Sequence, residues 1–573
     1  MKNPRHQNVE FDVIVIGAGT AGIYLLHRLR EVGFTVLAVE AASDVGGTWY
    51  WNRYPGARCD VDSVFYSYQF DEDLQQEWIW TERYASQPEI LDYLSFVADR
   101  FNLRPHIQFN TRVQSVHYNE AKKFWRVESE GGKCVTATYC IMATGCLSIA
   151  NTPNFLGLRD FDGPVYHTAR WPHEPVNFSG LRVGLIGTGS SAVQIIPNVA
   201  REAAHLTVFQ RTANYVVPAR NRPLECEELR KTKADYSSLR EEAKNTFGGF
   251  NFYPNENSAI EATMEELDRE YEKRWQAGGL SFMGAFSDLT YDANANKTAQ
   301  DFVRGKIRGI VEDPKVAELL SPQGVFGCKR LCLDSGYFET FNRPNVKLVN
   351  VEATPIQSIT RQGIRVNGHE YEFDMLVIAT GFDAMTGALL RMDIKGRDKI
   401  TLRDKWDEGP KTYLGLATAG FPNLFLVTGP GSPSVLSNMV PSIEQHVEWI
   451  SDCIEHMHAQ GYRRIEAKVE AEERWVDHVN EAASMTLSLK AQSWYVGANI
   501  PGKPRYFSAY LGGSLYYMRI ADIAAKDYDG FVKYVRDDYL KRVFAEAKLT
   551  AGLGNPEKWY SMLNSGQVQA IKE

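Results

Sequence analysis

The sequence contains no Cys-x-x-Cys pair. Its eight cysteines, at 59, 134, 140, 146, 226, 328, 332 and 453, stand apart from one another. That argues against a dithiol reductase. With no Cys/His cluster at ligand spacing, a metal site is not expected either. A basic excess is also missing: 63 Lys and Arg stand against 71 Asp and Glu, for a net charge of −8. No nucleic-acid partner is therefore expected, and any phosphate must be recognised by a few placed cations. There is no apolar run fit to span a membrane. The longest uncharged stretch, between Lys411 and Glu444, is interrupted by Pro422, Pro430, Pro433 and Pro441 and by Gly429 and Gly431, residues that break a spanning helix. The first twelve residues lack the apolar centre of a signal peptide. The expectation is a soluble, cytoplasmic protein with its thiols reduced.

What is present is an ordinary globular composition, 44% apolar and 23% charged over 573 residues, enough for three to four folding units at about 150 residues each. Two segments repeat one pattern. Phe11-Asp-Val-Ile-Val-Ile-Gly17-Ala-Gly19-Thr20-Ala21-Gly22 leads into a helix over Ile23–Val32 and a strand over Thr35–Glu40. Leu181-Arg-Val-Gly-Leu-Ile-Gly187-Thr188-Gly189-Ser190-Ser191-Ala192 leads into a helix over Val193–Ala203 and a strand over Leu206–Arg211. Each is a βαβ unit, so the fold is expected to be α/β, with two Rossmann-like dinucleotide-binding domains.

Each glycine has a physical task. Gly17 permits the tight turn, Gly19 lets a pyrophosphate approach the backbone, and Gly22 lets helix and strand pack closely. The helix N-terminus then offers free N–H groups to phosphate. Glu40, ending the second strand, would accept hydrogen bonds from a ribose diol, the pattern of an FAD site. At the second turn Ala192 replaces the third glycine. The following strand ends in Gln210-Arg211-Thr212 rather than in an acid, and an arginine there suits a 2′-phosphate, hence NADPH over NADH. Between Leu224 and Leu320 the composition turns charged and helical, with segments Glu227–Asn245, Ser258–Ala277 and Thr298–Glu312 and a stop at Asp313-Pro314. Two strands end alike, at Ala143-Thr-Gly145 and Ala379-Thr-Gly381.

Two further stretches are more specific: Gly46-Gly47-Thr48-Trp49-Tyr50-Trp51-Asn-Arg53-Tyr-Pro55-Gly56-Ala-Arg58-Cys-Asp60, and Phe161-x-Gly163-x-x-x-His167-x-x-x-Trp171-Pro172. The latter resembles the fingerprint of the type I Baeyer–Villiger monooxygenases, with His173 where the fingerprint often continues with Asp. The resemblance runs from about Phe11 to Val532 and is nearest to the phenylacetone and steroid monooxygenase branch.

The resemblance implies an FAD domain in two parts, 1–145 and 382–534. It implies an NADP domain also in two parts, 146–222 and 326–381, with a helical insertion at 223–325. The segment 535–573 is an extension of unknown role that looks helical and polar. The implied reaction starts with NADPH reducing FAD. O₂ then forms a C4a-peroxyflavin that inserts one oxygen beside a ketone carbonyl, giving an ester or lactone. Arg330, in Gly327-Cys-Lys329-Arg330-Leu331, would be the essential catalytic cation and Asp60 its carboxylate partner. A fixed guanidinium favours the anionic peroxide and the oxyanion it generates.

FAD contacts are expected from Gly17, Gly19, Thr20, Ala21, Gly22, Glu40, Thr48, Trp49, Tyr50, Trp51, Arg58, Asp60, Tyr66, Val113 and Met439. NADP contacts are expected from Gly187, Thr188, Gly189, Ser190, Ser191, Gln194, Arg211, Thr212, Lys329, Arg330 and Trp494, the last closing over the nucleotide. Ser434, Val435 and Leu436, in Gly429–Met439, resemble a substrate-pocket loop suited to bulky aryl, cyclic or steroidal ketones. His167 is expected to be structural rather than a base. The alternative reading is an N- or S-oxygenating flavin monooxygenase, which would not need Arg330. A monomer is favoured.

Overall fold

The structure, a computed structural model, describes residues 9–250 and 254–535. Apolar runs buried on both faces, such as residues 13–16 and Met375–Ile378, form the central parallel strands of its two main sheets. Phe11–Ile16, Val36–Val39 and Ile107–Gln108 line up on one side of an eight-stranded sheet. Cys134–Met142 pairs in parallel with Phe11–Ile16 and, on its other edge, with Phe124–Ser129 (antiparallel) and Leu424–Leu426 (parallel). Val113–Asn119 and Asp393–Lys395 complete it. Strands from residues 11–142 and from 393–426 thus share one sheet. Helix Thr20–Glu31 packs on it beside helix Met439–Ala459, where Tyr24 Oη donates to Glu448 Oε1 (3.1 Å).

A second sheet is parallel throughout, in the order Val346–Asn350, His205–Gln210, Arg182–Ile186, Met375–Ile378, Val165–His167. It packs helix Ser190–Glu202 and a helical layer built on Tyr271, Trp275, Phe282 and Phe302. A short parallel pair, Val216–Pro218 with Cys332–Asp334, closes the base of that layer.

Both expected βαβ units are present, with helices beginning three residues earlier than their apolar periodicity suggested. The insertion is corrected in four places, the first being the helix expected over Thr298–Glu312, which runs Ala293–Ile310 with Asp292 as its cap. Glu227–Asn245 is two helices, Cys226–Ala234 and Tyr236–Lys244. The helix expected from Ser258 starts at Met264, because Thr263 and Glu266 form a reciprocal capping box (3.3 and 2.9 Å). Asp313-Pro314 does not only stop a helix. Asp313 accepts from Lys315 N (2.8 Å) and Pro314 opens helix Pro314–Leu320, a first-turn position that needs no proline N–H. Six cysteines are buried, Cys134 is half-buried, Cys226 is exposed, and all eight are free. Val535 ends strand Phe531–Val535, and the rest of the extension lies outside the described residues. Among the described residues, no helix is long and apolar enough to cross a membrane.

Behind the 428–438 loop, His446 is wholly buried. Its Nδ1 accepts from Thr428 N (2.9 Å) and its Nε2 meets Tyr516 Oη (2.8 Å). Burial pushes its pKa down to about 3. The folded chain therefore binds fewer protons than the unfolded one once the pH falls below the ordinary value of 6.5. This histidine's contribution is complete above 6.5 and is lost progressively as the pH falls toward 3, at up to about 1.4 kcal/mol per pH unit. Denaturant melts at stepped pH should show a shallower acid slope in His446→Gln than in the parent; equal slopes would refute the assignment.

Candidate active site

The first glycine turn is shaped as a cradle. Gly17 has φ +111°, and a Cβ there would sit 2.5 Å from the Ala143 carbonyl oxygen; one at Gly22 would sit 2.0 Å from that of Gly17. A Cβ on Gly19 would sit 3.2 Å from Gly47 Cα, and one on Gly47 would sit 2.8 Å from Gly19 Cα, so the close approach of the two backbones requires glycine on both sides. Thr20 and Ala21 open the helix. Glu40 is buried, its two oxygens accepting from Ala18 N and Ala42 N (2.7 Å each). A carboxylate has about four acceptor positions, so capacity remains for a ribose. Val113 starts its strand beside a depression of about 560 Å³, lined by Ala41, Asn110, Thr111, Arg112, Ser129 and Lys133.

Thr48, exposed, begins the short helix Thr48–Trp51. Trp49 Nε1 donates to Tyr66 Oη (3.2 Å), and Tyr50 shares its hydroxyl with Ser43 (2.7 Å). Tyr50 packs edge-on against Trp51 and, on its other side, against His173 at 4.8 Å between ring centres. The residue that departs from the fingerprint is therefore in contact with this segment. Arg58 does not turn its guanidinium to the crevice. It donates to Glu82 (2.7 Å) and to the Tyr84 carbonyl (3.0 Å). The Gln194 amide donates to Arg58 O (3.1 Å) and accepts from Tyr54 Oη (2.8 Å). It fastens the tryptophan-rich segment to the helix of the second turn.

At that second turn Gly187 has φ +120°, and open space surrounds a Cβ built on Gly189. Thr188 Oγ1 donates to Thr212 O (2.9 Å), and Asn214 Nδ2 donates to Thr188 O (2.6 Å) while Asn214 Oδ1 is buried without a partner. Ser190 and Ser191 open the helix, and Ser190 Oγ lies 3.3 Å from Cys332 Sγ. Arg211 and Thr212 are exposed at the strand end. Lys329 lies within electrostatic reach of Arg211. Burial pushes the lysine's pKa down, the Cys332 thiol opposes, and Arg211 pushes it down further. Two cations held in mutual repulsion form a setting that a phosphate would relieve.

Asp60 and Arg330, 270 residues apart, meet in a two-pronged ion pair: Nε donates to Oδ2 (2.6 Å) and Nη2 to Oδ1 (2.8 Å). Nη1 donates to the Val435 carbonyl (2.7 Å). Three of the five guanidinium N–H groups are thereby engaged, and one remains on each terminal nitrogen. The pair is not sealed, with 23% and 27% side-chain exposure. Burial opposes the arginine's charge, but Asp60 overcomes it and holds the pKa well above the ordinary value. Tyr495 lies beside the guanidinium. Burial pushes its phenol up to about 12, with Arg330 pulling the other way.

An apolar wall faces this pair. It includes Val435, with Leu436, Met439 and Trp494 packed against it. Trp494 and Tyr495 stack at 4.4 Å between ring centres. Sequence reasoning missed most of the wall, including Cys146, Met385, Tyr495 and Phe507. Only Tyr495, beside Trp494, had a neighbour that could have drawn attention to it. Ser434 (φ +43°) and Met385 (φ +65°) are both non-glycines in left-handed conformations, and they touch, Oγ to Sδ at 3.8 Å. Such strain persists where surrounding structure over-determines it, and it concentrates at binding sites.

His167 lies outside this cluster. Its Nδ1 accepts from Ala169 N (3.0 Å), so Nε2 must be the donor to the Asn151 carbonyl (3.2 Å). Asn151 in turn bonds Thr380. The ring is neutral and satisfied, and through Asn151 it joins the segment after the first Ala-Thr-Gly run to Thr380 within the second.

Residues 14–237 match the family described as pyridine nucleotide-disulphide oxidoreductase, and residues 517–573 match the actin-binding protein F N-terminal domain. The chain is 45% identical to a Baeyer–Villiger monooxygenase of Pseudooceanicola batsensis, over 95% of this chain and 99% of that one. It is 41% identical to a phenazine N-monooxygenase of Lysobacter antibioticus, over 92% and 98%. Among solved structures, an oxidised steroid monooxygenase bound to NADP superposes with a TM-score of 0.88 at 50% identity, covering 91% of this chain and 99% of that one.

Proposed function

The chain belongs to the type I Baeyer–Villiger monooxygenases, and from that membership we infer the work of its individual residues. It is an FAD-dependent, NADPH-using enzyme with two dinucleotide-binding domains. The overall change consumes a ketone, O₂, NADPH and a proton and yields an ester or lactone, water and NADP⁺. FAD, when bound, takes hydride from NADPH and delivers the electrons to O₂.

The protein's part is binding, orientation and electrostatics. The 1–145 and 382–534 segments, which share the first sheet, would hold FAD. The 146–222 and 326–381 segments would hold NADP, and 223–325 is the helical insertion. Gly17, Gly19 and Gly22, with the amides of Thr20 and Ala21, would receive the FAD pyrophosphate. Glu40 would take the ribose, and Val113 would border the adenine. The Thr48–Trp51 turn, Arg58 through its backbone, Asp60, Tyr66 and Met439 would border the flavin. The second turn, Gly187 to Ser191, would receive the NADP pyrophosphate, with its buried, unpartnered Asn214 oxygen awaiting a donor. Arg211, Thr212 and Lys329 would receive the 2′-phosphate. Trp494 would cover the nucleotide, excluding water.

The observation that carries the reading is the Asp60–Arg330–Val435 arrangement. It holds a permanently charged guanidinium against an apolar wall, with one N–H on each terminal nitrogen left for negative charge developing on oxygen. Oxygen attack on a carbonyl develops such charge; oxygenation of an amine or thioether does not require it. The phenazine N-monooxygenase shows that the family's frame also serves nitrogen, so the panel must include it. Ser434, Val435 and Leu436 would line the ketone site and favour bulky aryl, cyclic or steroidal ketones.

The test supplies FAD-loaded protein with NADPH, ¹⁸O₂ and a panel of ketones, thioethers and phenazines, with products read by mass spectrometry. One labelled oxygen in an ester or lactone is expected. Oxygenation of nitrogen or sulfur with no ester from any ketone would overturn the reading.

A further inference from the structure

The loop 428–438, which carries the proposed ketone-pocket residues, is tied at both ends to one distant helix. That helix, Ser514–Ala525, contributes two consecutive tyrosines. At the loop's start, Tyr516 Oη donates its only proton to the Leu414 carbonyl (2.7 Å), so it must accept from His446 Nε2 (2.8 Å). Nδ1 of the neutral ring then accepts from Thr428 N (2.9 Å). Both residues fixed in this way, Leu414 (φ +60°) and Thr428 (φ +51°), are non-glycines in left-handed conformations.

At the loop's other end a second chain runs through hydroxyls alone. Ser437 Oγ donates to the Ser434 carbonyl (3.2 Å), so it accepts from Ser442 Oγ (2.8 Å), which in turn accepts from Tyr517 Oη (3.0 Å). Every proton in this series has one destination. It ends on Ser434, the strained pocket residue, next to Val435, whose carbonyl holds Arg330 Nη1.

We propose that Tyr516 and Tyr517 are positioning residues: through His446 and through Ser442–Ser437 they hold the 428–438 loop so that Val435 both shapes the ketone pocket and orients Arg330. This rests on the reading that Ser434–Leu436 line that pocket. Neither tyrosine is assigned a contact with substrate. Each acts through buried groups that lose their partner when a hydroxyl is removed, a loss costlier than the net value of a hydrogen bond.

The experiment compares Tyr516→Phe and Tyr517→Phe in the FAD-loaded enzyme, measuring ketone KM, regioisomer ratio and ester formed per NADPH consumed. KM should rise about tenfold, the regioisomer ratio should shift, and part of the NADPH should go to peroxide, while the rate of flavin reduction stays unchanged. Trp449→Phe is the control, because Trp449 Nε1 donates to Ile520 O (3.0 Å) and anchors the same helix without joining either chain. It should lower the melting temperature and leave KM and product ratio alone. If both tyrosine variants behave like Trp449→Phe, the proposal fails. Val435→Ala separates the two readings. A changed KM there, with unchanged tyrosine variants, defeats only the tether; an unchanged KM in all of them defeats the pocket assignment as well.

Discussion

Arg330→Ala should reduce its flavin with NADPH at close to the parent rate yet form ester about 10³-fold more slowly. The two steps make different demands. Hydride transfer needs two rings in register and no cation at the Arg330 position. Oxygen insertion builds negative charge on oxygen in a site walled by apolar side chains, where a fixed guanidinium is worth far more than in water. Its orientation is set by Asp60 through two bonds and by Val435 through a third. Arg330→Lys should recover only part of the loss, since an ammonium keeps the charge without the planar fork. Asp60→Asn should lie between parent and Arg330→Ala, because the arginine keeps a hydrogen-bonding neighbour but loses the countercharge that holds it. Rapid mixing under nitrogen gives the reduction rate, and chromatography after admitting oxygen gives the ester. If Arg330→Ala makes ester within tenfold of the parent, the residue is not the one that stabilises the developing charge.

Much of the frame was legible in the sequence because its signals are local. A four-residue run such as Met375–Ile378, a glycine turn and a helix start all lie within a dozen residues, and each glycine's task follows from backbone sterics. Gly17 and Gly22 now show this in contact distances. Helix starts moved because side-chain caps rather than apolar periodicity set them, as at Thr263 and at Asp292, which accepts from two amides. The site was less legible. Asp60 and Arg330 come from separate segments, and no spacing rule joins residues 270 positions apart; only the resemblance paired them. Cys146, Met385 and Phe507 enter the pocket wall by tertiary packing, each an unremarkable apolar or thiol residue in its own neighbourhood. Arg58 shows the same limit: its ion-pair partner, Glu82, lies 24 residues away and outside the motif.

Removing the cation at Arg211 should raise the KM for NADPH by about 50-fold while leaving that for NADH within about threefold. The two nucleotides differ only in the 2′-phosphate, so a residue that touches nothing else must act on one alone. Lys329→Ala should act in the same direction, and the double variant should lose more than the sum of the two, because removing either cation strengthens the charge of the one that remains. The lysine adds a pH signature. Burial and then Arg211 hold its pKa below the ordinary 10.5. On raising the pH it therefore loses its proton earlier than an exposed lysine, and the NADPH KM should climb on that alkaline limb while the NADH KM stays flat. Lys329→Arg, which keeps its charge at any such pH, should remove the climb. Arg211→Ala should move it to higher pH, since the repulsion that depressed the lysine is gone. A phosphate-blind result, in which both nucleotides weaken equally in Arg211→Ala, would place the arginine outside the nucleotide site. A flat NADPH profile in the parent would mean that Lys329 does not meet the phosphate in its charged form.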